Sequence, residues 1–223
     1  MKTCLVMPMK SPHLAKQRLA GHLTDEDRAA LALMLFEKSV SFFRSHFADL
    51  PLLVVSHSES VLALAQEYGC QTVWEEQEKG LNQALQKATN WVKRAGFSQQ
   101  IIIPSDIAHL TSDEIQTLLQ HANQYQVVIA RAKDGGTNAL ITTPPDAIEF
   151  YYGVDSAAKH QKAAKHQQCS CLCLDLMGLR LDIDSADDLA NAHLQWPQNP
   201  MVAATPIKGQ QLPQLHFSRK QYV

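Results

Sequence analysis

Short, unbroken apolar runs alternate along the chain with longer stretches whose apolar residues recur at helical spacing. Thr3 to Met7, Leu52 to Val55, Thr72 to Trp74, Ile101 to Ile103, Val127 to Ala130 and Ala139 to Thr142 are predicted strands. Several are apolar at every position, as strands of a parallel sheet covered on both faces must be. The stretches between them are predicted helices. The first begins at Thr24 to Asp27, a cap with acids in the first turn, and runs to about Phe47. Ser58 opens the second, which carries Val61, Leu64, Ala65 and Tyr68 and closes at Gly69. Leu81 to Ala95 is the third. Thr111 to Glu114 caps the fourth, with Ile115, Leu118, Leu119 and Ala122 on one stripe, and Ala157 to Gln167 is the fifth. Strand and helix in alternation, joined by short connections, predict an α/β domain around a mostly parallel sheet. After about Trp196 the periodicity fades into a Pro- and Gln-containing stretch. The chain therefore divides into a domain of residues 1–195 and an arm or mobile tail, 196–223.

Composition narrows the class. A length of 223 residues, with 45% hydrophobic and 19% charged, is that of one ordinary globular domain. The formal charge of −2 argues against a nucleic-acid binder driven by bulk electrostatics. No run approaches the ~18 apolar residues of a membrane span, and the N-terminus does not read as a secretory leader. Five cysteines, an odd number, then point to reduced thiols in the cytoplasm. Cys169, Cys171 and Cys173 invite a zinc reading. On a strand, however, their side chains would be about 6.6–7 Å apart, against the roughly 3.8 Å between sulfurs of a tetrahedral site. They read as core.

Ligands of such sheets bind beyond the carboxyl ends of the strands, so the residues just after each strand matter most. The first such loop holds Lys10, Lys16 and Arg18, without the glycine fingerprint of a dinucleotide site. Three cations there suit a triphosphate. Asp106 follows the isoleucine strand by three residues, where a carboxylate could hold magnesium, which takes few protein ligands and completes its shell with phosphate and water. Leu179 to Asp184 reads as a second acidic strand end, with Asp182 and Asp184 on one face. Asp182 is preferred as the ligand, with Asp184 as its helper or as the cap of the next helix. Asp134 to Asn138 is either an anion-binding nest or a plain hairpin connection. Gly153 and Ser156 stand at a helix start, a natural anion site, although Ser156 could equally be only the cap. His160 and His166 read as surface residues.

Taken together, these segments resemble the guanylyltransferases of coenzyme F-420 biosynthesis, which act on 2-phospho-L-lactate, phosphoenolpyruvate or 3-phospho-D-glycerate. The matching stretches include PMKSPHLAKQRLAG, GLNQAL, IIIPSDIAHL, GGTNALITTPP, FYYGVDSAAKHQKAA and GLRLDIDSADDLA. GGTNAL, the following Pro-Pro, and a Gly-x-x-Ser-x-x-x-His are the specific part. The resemblance implies a three-layer, Rossmann-like nucleotidyltransferase domain of GT-A type that binds GTP and Mg2+. It implies Lys16 and Arg18 as catalytic residues on the triphosphate, and Lys10, Gly80 and Asn82 as further nucleotide contacts. Thr137, Gly153 and Ser156 would hold the phosphorylated acid, and Asp106, Asp182 and Asp184 the metal. Val154-Asp155 replaces the family's usual Pro-Gly, and Gln17 replaces its usual Ser. Partners would be small molecules, with neither nucleic acid nor membrane, and enzymes of this size commonly form homodimers. The alternatives are a transferase of the same fold with another acceptor, and a non-catalytic nucleotide-binding domain.

Overall fold

The computed structural model describes residues 1–77 and 79–192; the expected boundary and arm at 195 and 196 lie outside the described residues. Among the described residues, seven strands form one sheet: β1 (Thr3–Pro8), β2 (Leu52–Ser56), β3 (Gln71–Trp74), β4 (Gln99–Ile102), β5 (Val127–Arg131), β6 (Thr137–Thr142) and β7 (Cys171–Leu174). Their order is β3-β2-β1-β4-β6-β5-β7. Every pair is parallel except those made by β6, which runs antiparallel to both β4 and β5.

Among the described residues, six α-helices complete the fold: α1 (Asp25–His46), α2 (Glu59–Glu67), α3 (Leu81–Arg94), α4 (Ser112–His121), α5 (Ser156–His166) and α6 (Ala186–Asn191). Thr24, Ser58 and Thr111 cap α1, α2 and α4, each hydroxyl accepting a backbone N–H of its first turn. The sheet divides its side chains by the two-residue period of a strand. Leu5, Met7, Leu52 and Val54 pack with Phe36, Phe43, Val61 and Ile115 on one face. Cys4, Val6, Leu53 and Val55 pack with Leu85, Val92, Ala157 and Ala164 on the other. Two helical layers therefore enclose the sheet, as its doubly apolar strands require. The half-buried Cys169, Cys171 and Cys173 lie against the second of these clusters.

β4 starts earlier than its isoleucines indicate, at the buried polar residues Gln99 and Gln100. Gln100 is tolerated there because its amide is fully engaged. Its Oε1 accepts from Thr89, and its Nε2 reaches Thr142 Oγ1 at 3.1 Å and the Pro145 carbonyl at 2.7 Å. Among the described residues no helix is long and apolar enough to cross a membrane.

Candidate active site

The carboxyl ends of β1, β2 and β4 open into a cleft of about 410 Å³, within the range of small-ligand sites. Lys10, Lys16, Arg18, Gly80, Asp106 and Asp184 all line it. Lys16 adopts a left-handed backbone conformation, φ 54°, between two short 3-10 turns. For a residue with a side chain that costs about 1–2 kcal/mol, and the contacts of its ammonium explain why the conformation is kept. Nζ donates to Asp106 Oδ2 at 2.7 Å and to Asp184 Oδ1 at 3.3 Å, and the side chain is only 5% exposed. Burial works against this charge, but the carboxylates of Asp106 and Asp184 outweigh it and hold the Lys16 pKa above the ordinary lysine value. Arg18 stays in solvent and reaches Asp184 Oδ2 at 3.5 Å.

Asp106 and Asp182, far apart in sequence, meet through backbone pairing. Ile107 and Asp182 form an isolated antiparallel bridge. The Ala108 N–H donates to the Leu181 carbonyl at 2.8 Å, and the Ile183 N–H to that of Asp106 at 3.1 Å. The Glu114 carboxylate fastens the same segment to α4 by accepting the N–H groups of Gly178 and Leu179. This corrects the expected strand at Leu179 to Asp184: one bridge sets the position of Asp182. Asp184 is not a cap either. Ser185 caps α6 in a reciprocal box with Asp188, which leaves the Asp184 carboxylate to the two cations. Asn138, which sequence reasoning passed over, donates its amide to Asp182 Oδ1 at 3.2 Å and to the Leu179 carbonyl at 2.9 Å. Burial first, then the neighbouring Asp106 charge, raises the Asp182 carboxyl above its usual range.

The Asp134 to Asn138 segment is the hairpin connection of β5 and β6. The Gly135 N–H donates to the Ala132 carbonyl, the Ala132 N–H to the Gly136 carbonyl, and the Gly136 N–H to Asp134 Oδ1. With both glycine amides spent internally, the nest reading is set aside. Its other product is the placement of Thr137 and Asn138. Because β6 runs backwards, its first residues lie at the carboxyl end of β4.

Thr137 meets the start of α5. Ser156 Oγ donates to Thr137 Oγ1 at 3.0 Å, so Ser156 is not the cap. Asp155 takes that position in a left-handed conformation without a side-chain capping bond. The first two amides of α5, on Ser156 and Ala157, donate to the Gly153 and Gly135 carbonyls. Gly153 has φ 128°, a backbone state favouring glycine.

Two other residues have partners that the sequence did not indicate. Asn82, at the start of α3, pairs its side-chain amide with the backbone of Tyr152: its Oδ1 accepts the N–H at 2.8 Å and its Nδ2 donates to the carbonyl at 3.4 Å. His160 is fully buried, not a surface residue, and bonds to Thr137 and Tyr151. The signal was present in the spacing of Ala157, His160 and Ala164, which share the inward stripe of an otherwise polar helix. Glu75, also missed, is buried in the cleft wall, and its carbonyl accepts from His57 Nδ1 at 2.6 Å. It stands first after β3, where the strand-end rule points.

Among the described residues, no three His, Cys, Asp or Glu side chains form a ready-made metal cage. The donor chemistry nevertheless fits a hard divalent ion. Asp182 feels the charges of Asp106 and Asp184, and a cation, the Lys16 ammonium, already lies against two of these carboxylates. Magnesium needs only one or two carboxylates when phosphate and water fill its other positions.

The sheet order, the buried lysine set among carboxylates and the open cleft beyond the ends of β1, β2 and β4 make a site for an anionic ligand. Solved structures share the fold. A protein described as a nucleotide-diphospho-sugar transferase from Desulfovibrio desulfuricans G20 superposes with TM-score 0.66 at 17% identity, covering 84% of each chain. A CMP:2-keto-3-deoxy-manno-octonic acid synthetase complexed with CTP gives TM-score 0.57 at 8% identity, covering 86% of this chain and 96% of the other. Residues 3–196 match the family described as guanylyl transferase CofC like, and the chain belongs to it. It is a GTP-dependent guanylyltransferase by family. A 3-phospho-D-glycerate guanylyltransferase from Colwellia psychrerythraea is 43% identical over 190 residues, 85% of this chain and 90% of that one. A 2-phospho-L-lactate guanylyltransferase from Methanothermobacter thermautotrophicus is 36% identical over 85% of this chain and 83% of its own. A phosphoenolpyruvate guanylyltransferase from Sphaerobacter thermophilus is 31% identical over 85% and 91%.

Proposed function

We propose that this protein transfers GMP from GTP to the phosphate of a phosphorylated three-carbon acid, releasing pyrophosphate, as a step of coenzyme F-420 biosynthesis. The first candidate acceptor is 3-phospho-D-glycerate, named for the relative at 43% identity, ahead of those at 36% and 31%. The observation that carries the reading is the Lys16 ammonium lodged against Asp106 and Asp184 in the cleft. Its setting is a cytoplasmic enzyme, dimeric, with small-molecule substrates and no nucleic acid or membrane.

The acceptor phosphate is largely ionised near neutral pH. One of its oxygens attacks the α-phosphorus of GTP. A P–O bond forms there as the bond to the bridging oxygen of pyrophosphate breaks, and the electron pair leaves with pyrophosphate. The nucleophile has no proton to lose, so no general base is needed. The task left to the protein is to bring two polyanions together in line. Lys10, Lys16 and Arg18 neutralise the triphosphate, while Thr137 and Gly153 hold the acid, with Ser156 supporting them through its hydrogen bond to Thr137. Asp106 and Asp182, with Asp184 beside them, would hold Mg2+, which when bound supplies charge neutralisation at the phosphoryl oxygens. Asn138 fixes the orientation of Asp182 for that role. The test is pyrophosphate release from GTP and Mg2+ with each of the three acids separately. Fastest release with 3-phospho-D-glycerate is expected; equal rates with and without any acid would overturn the reading.

A further inference from the structure

His160 has a hydrogen-bonding pattern that fixes its proton. Its Nε2 lies 3.0 Å from the backbone N–H of Tyr151, a group that only donates. Nε2 therefore carries the lone pair, and the neutral ring carries its hydrogen on Nδ1. Nδ1 lies 3.0 Å from Thr137 Oγ1, so the ring donates to that hydroxyl. The Ser156 hydroxyl donates to the same oxygen, also at 3.0 Å. Both lone pairs of Thr137 Oγ1 are thus taken, and the one hydrogen-bonding capacity it retains is its own proton.

We infer that His160 is a positioning residue for the acceptor: with Ser156 it makes the Thr137 hydroxyl a committed donor to an anionic oxygen of the phosphorylated acid. This rests on the assignment of Thr137 and Gly153 to the acceptor. A free hydroxyl can turn its lone pair or its proton to a ligand; this one offers only the proton, which suits a phosphate or carboxylate and disfavours a donor. The same ring holds the Tyr151 N–H while Asn82 holds both backbone groups of Tyr152, so the chain entering Gly153 is clamped from two helices. Burial agrees with the neutral ring, lowering the His160 pKa to about 4.

Two substitutions separate the two ring nitrogens. His160→Gln can keep an acceptor for Tyr151 but has no donor at the Nδ1 position; His160→Asn keeps a donor there. With the acid that supports turnover, His160→Gln is expected to raise the KM for the acid about tenfold, the effect of one lost hydrogen bond. The KM for GTP should stay unchanged, and His160→Asn should recover most of the loss. A normal acid KM in folded His160→Gln overturns the inference, as does an equal defect in His160→Asn. Thr137→Val serves as the control. If it leaves the acid KM unchanged, the acceptor site itself is misplaced; if it raises that KM while His160→Gln does not, only the role of His160 fails. Should the buried substitutions unfold the chain, nitrogen NMR of the 15N-histidine-labelled wild-type protein at neutral pH decides. Hydrogen on Nδ1 is expected, and hydrogen on Nε2 contradicts the assignment.

Discussion

The Lys16 ammonium in the cleft is held by two carboxylates, while burial and the Asp106 charge disfavour the charged form of a third, Asp182. Lys16 is buried yet remains charged because Asp106 and Asp184 outweigh its desolvation. Lys16→Ala is therefore expected to leave the fold intact but cut guanylyl transfer about 100-fold or more, the scale of losing one preorganised charge at a phosphoryl group. Steady-state rates with a thermal melt check this, and wild-type turnover would remove Lys16 from the mechanism. Asp182 behaves in the opposite sense. Its carboxyl is raised by burial and by the Asp106 charge, so the folded state pays a penalty once it ionises, at pH above its folded pKa. Below the unfolded pKa the penalty vanishes. Asp182→Asn is thus expected to raise the melting temperature of the metal-free protein at pH 7 while abolishing transfer. A lower melting temperature with the fold retained would show that the Asp182 charge is not a burden.

At the level of elements, α5 shows where sequence reading succeeds and where it stops. Its position and its nearness to Gly153 were legible, because Gly-x-x-Ser at the head of an alanine-rich stretch marks a helix start. The spacing of Ala157, His160 and Ala164 marked its inward face, but the partners of His160, which come from β6 and the Tyr151 backbone, were not legible. The Val154-Asp155 departure now has a structural form: Asp155 occupies a left-handed position, φ 53°, where the family's glycine would carry no strain. Relief of about 1–2 kcal/mol is partly offset by the greater chain entropy of glycine. Asp155→Gly should therefore stabilise the protein by about 0.5–1 kcal/mol, measured by urea unfolding; destabilisation would mean that the Asp155 carboxylate makes a contact worth more than the strain.

On the scale of the whole molecule, hydropathy alone revealed the layers. Continuous apolar strands demand helices on both faces, and three hydroxyl caps, Thr24, Ser58 and Thr111, announced their helices directly. Strand direction was half legible, since the hairpin reading of Asp134 to Asn138 implied a reversal that the nest reading did not. Nothing in the apolar pattern of Thr137 to Thr142 tells that β6 runs backwards, and that reversal brings Thr137 and Asn138 to the same end of the sheet as Asp106. Gln99 and Gln100 were hidden for another reason, because buried polar side chains satisfied by distant partners carry no hydropathy signal. The strand-end rule singled out Lys16 and Asp106, and reached Asp182 through an expected strand that is only a bridge to Ile107.

The arrangement as a whole has one chemical outcome, a new bond between the acceptor phosphate and the α-phosphorus of GTP. Phosphorus NMR of the wild-type protein with GTP, Mg2+ and 3-phospho-D-glycerate reads it directly. Two mutually coupled signals of a diphosphate linkage are expected, one from GMP and one from the acid, growing in step with inorganic pyrophosphate. Pyrophosphate accompanied by free GMP and an unchanged acid signal would contradict it, because water rather than the acid would then be the acceptor.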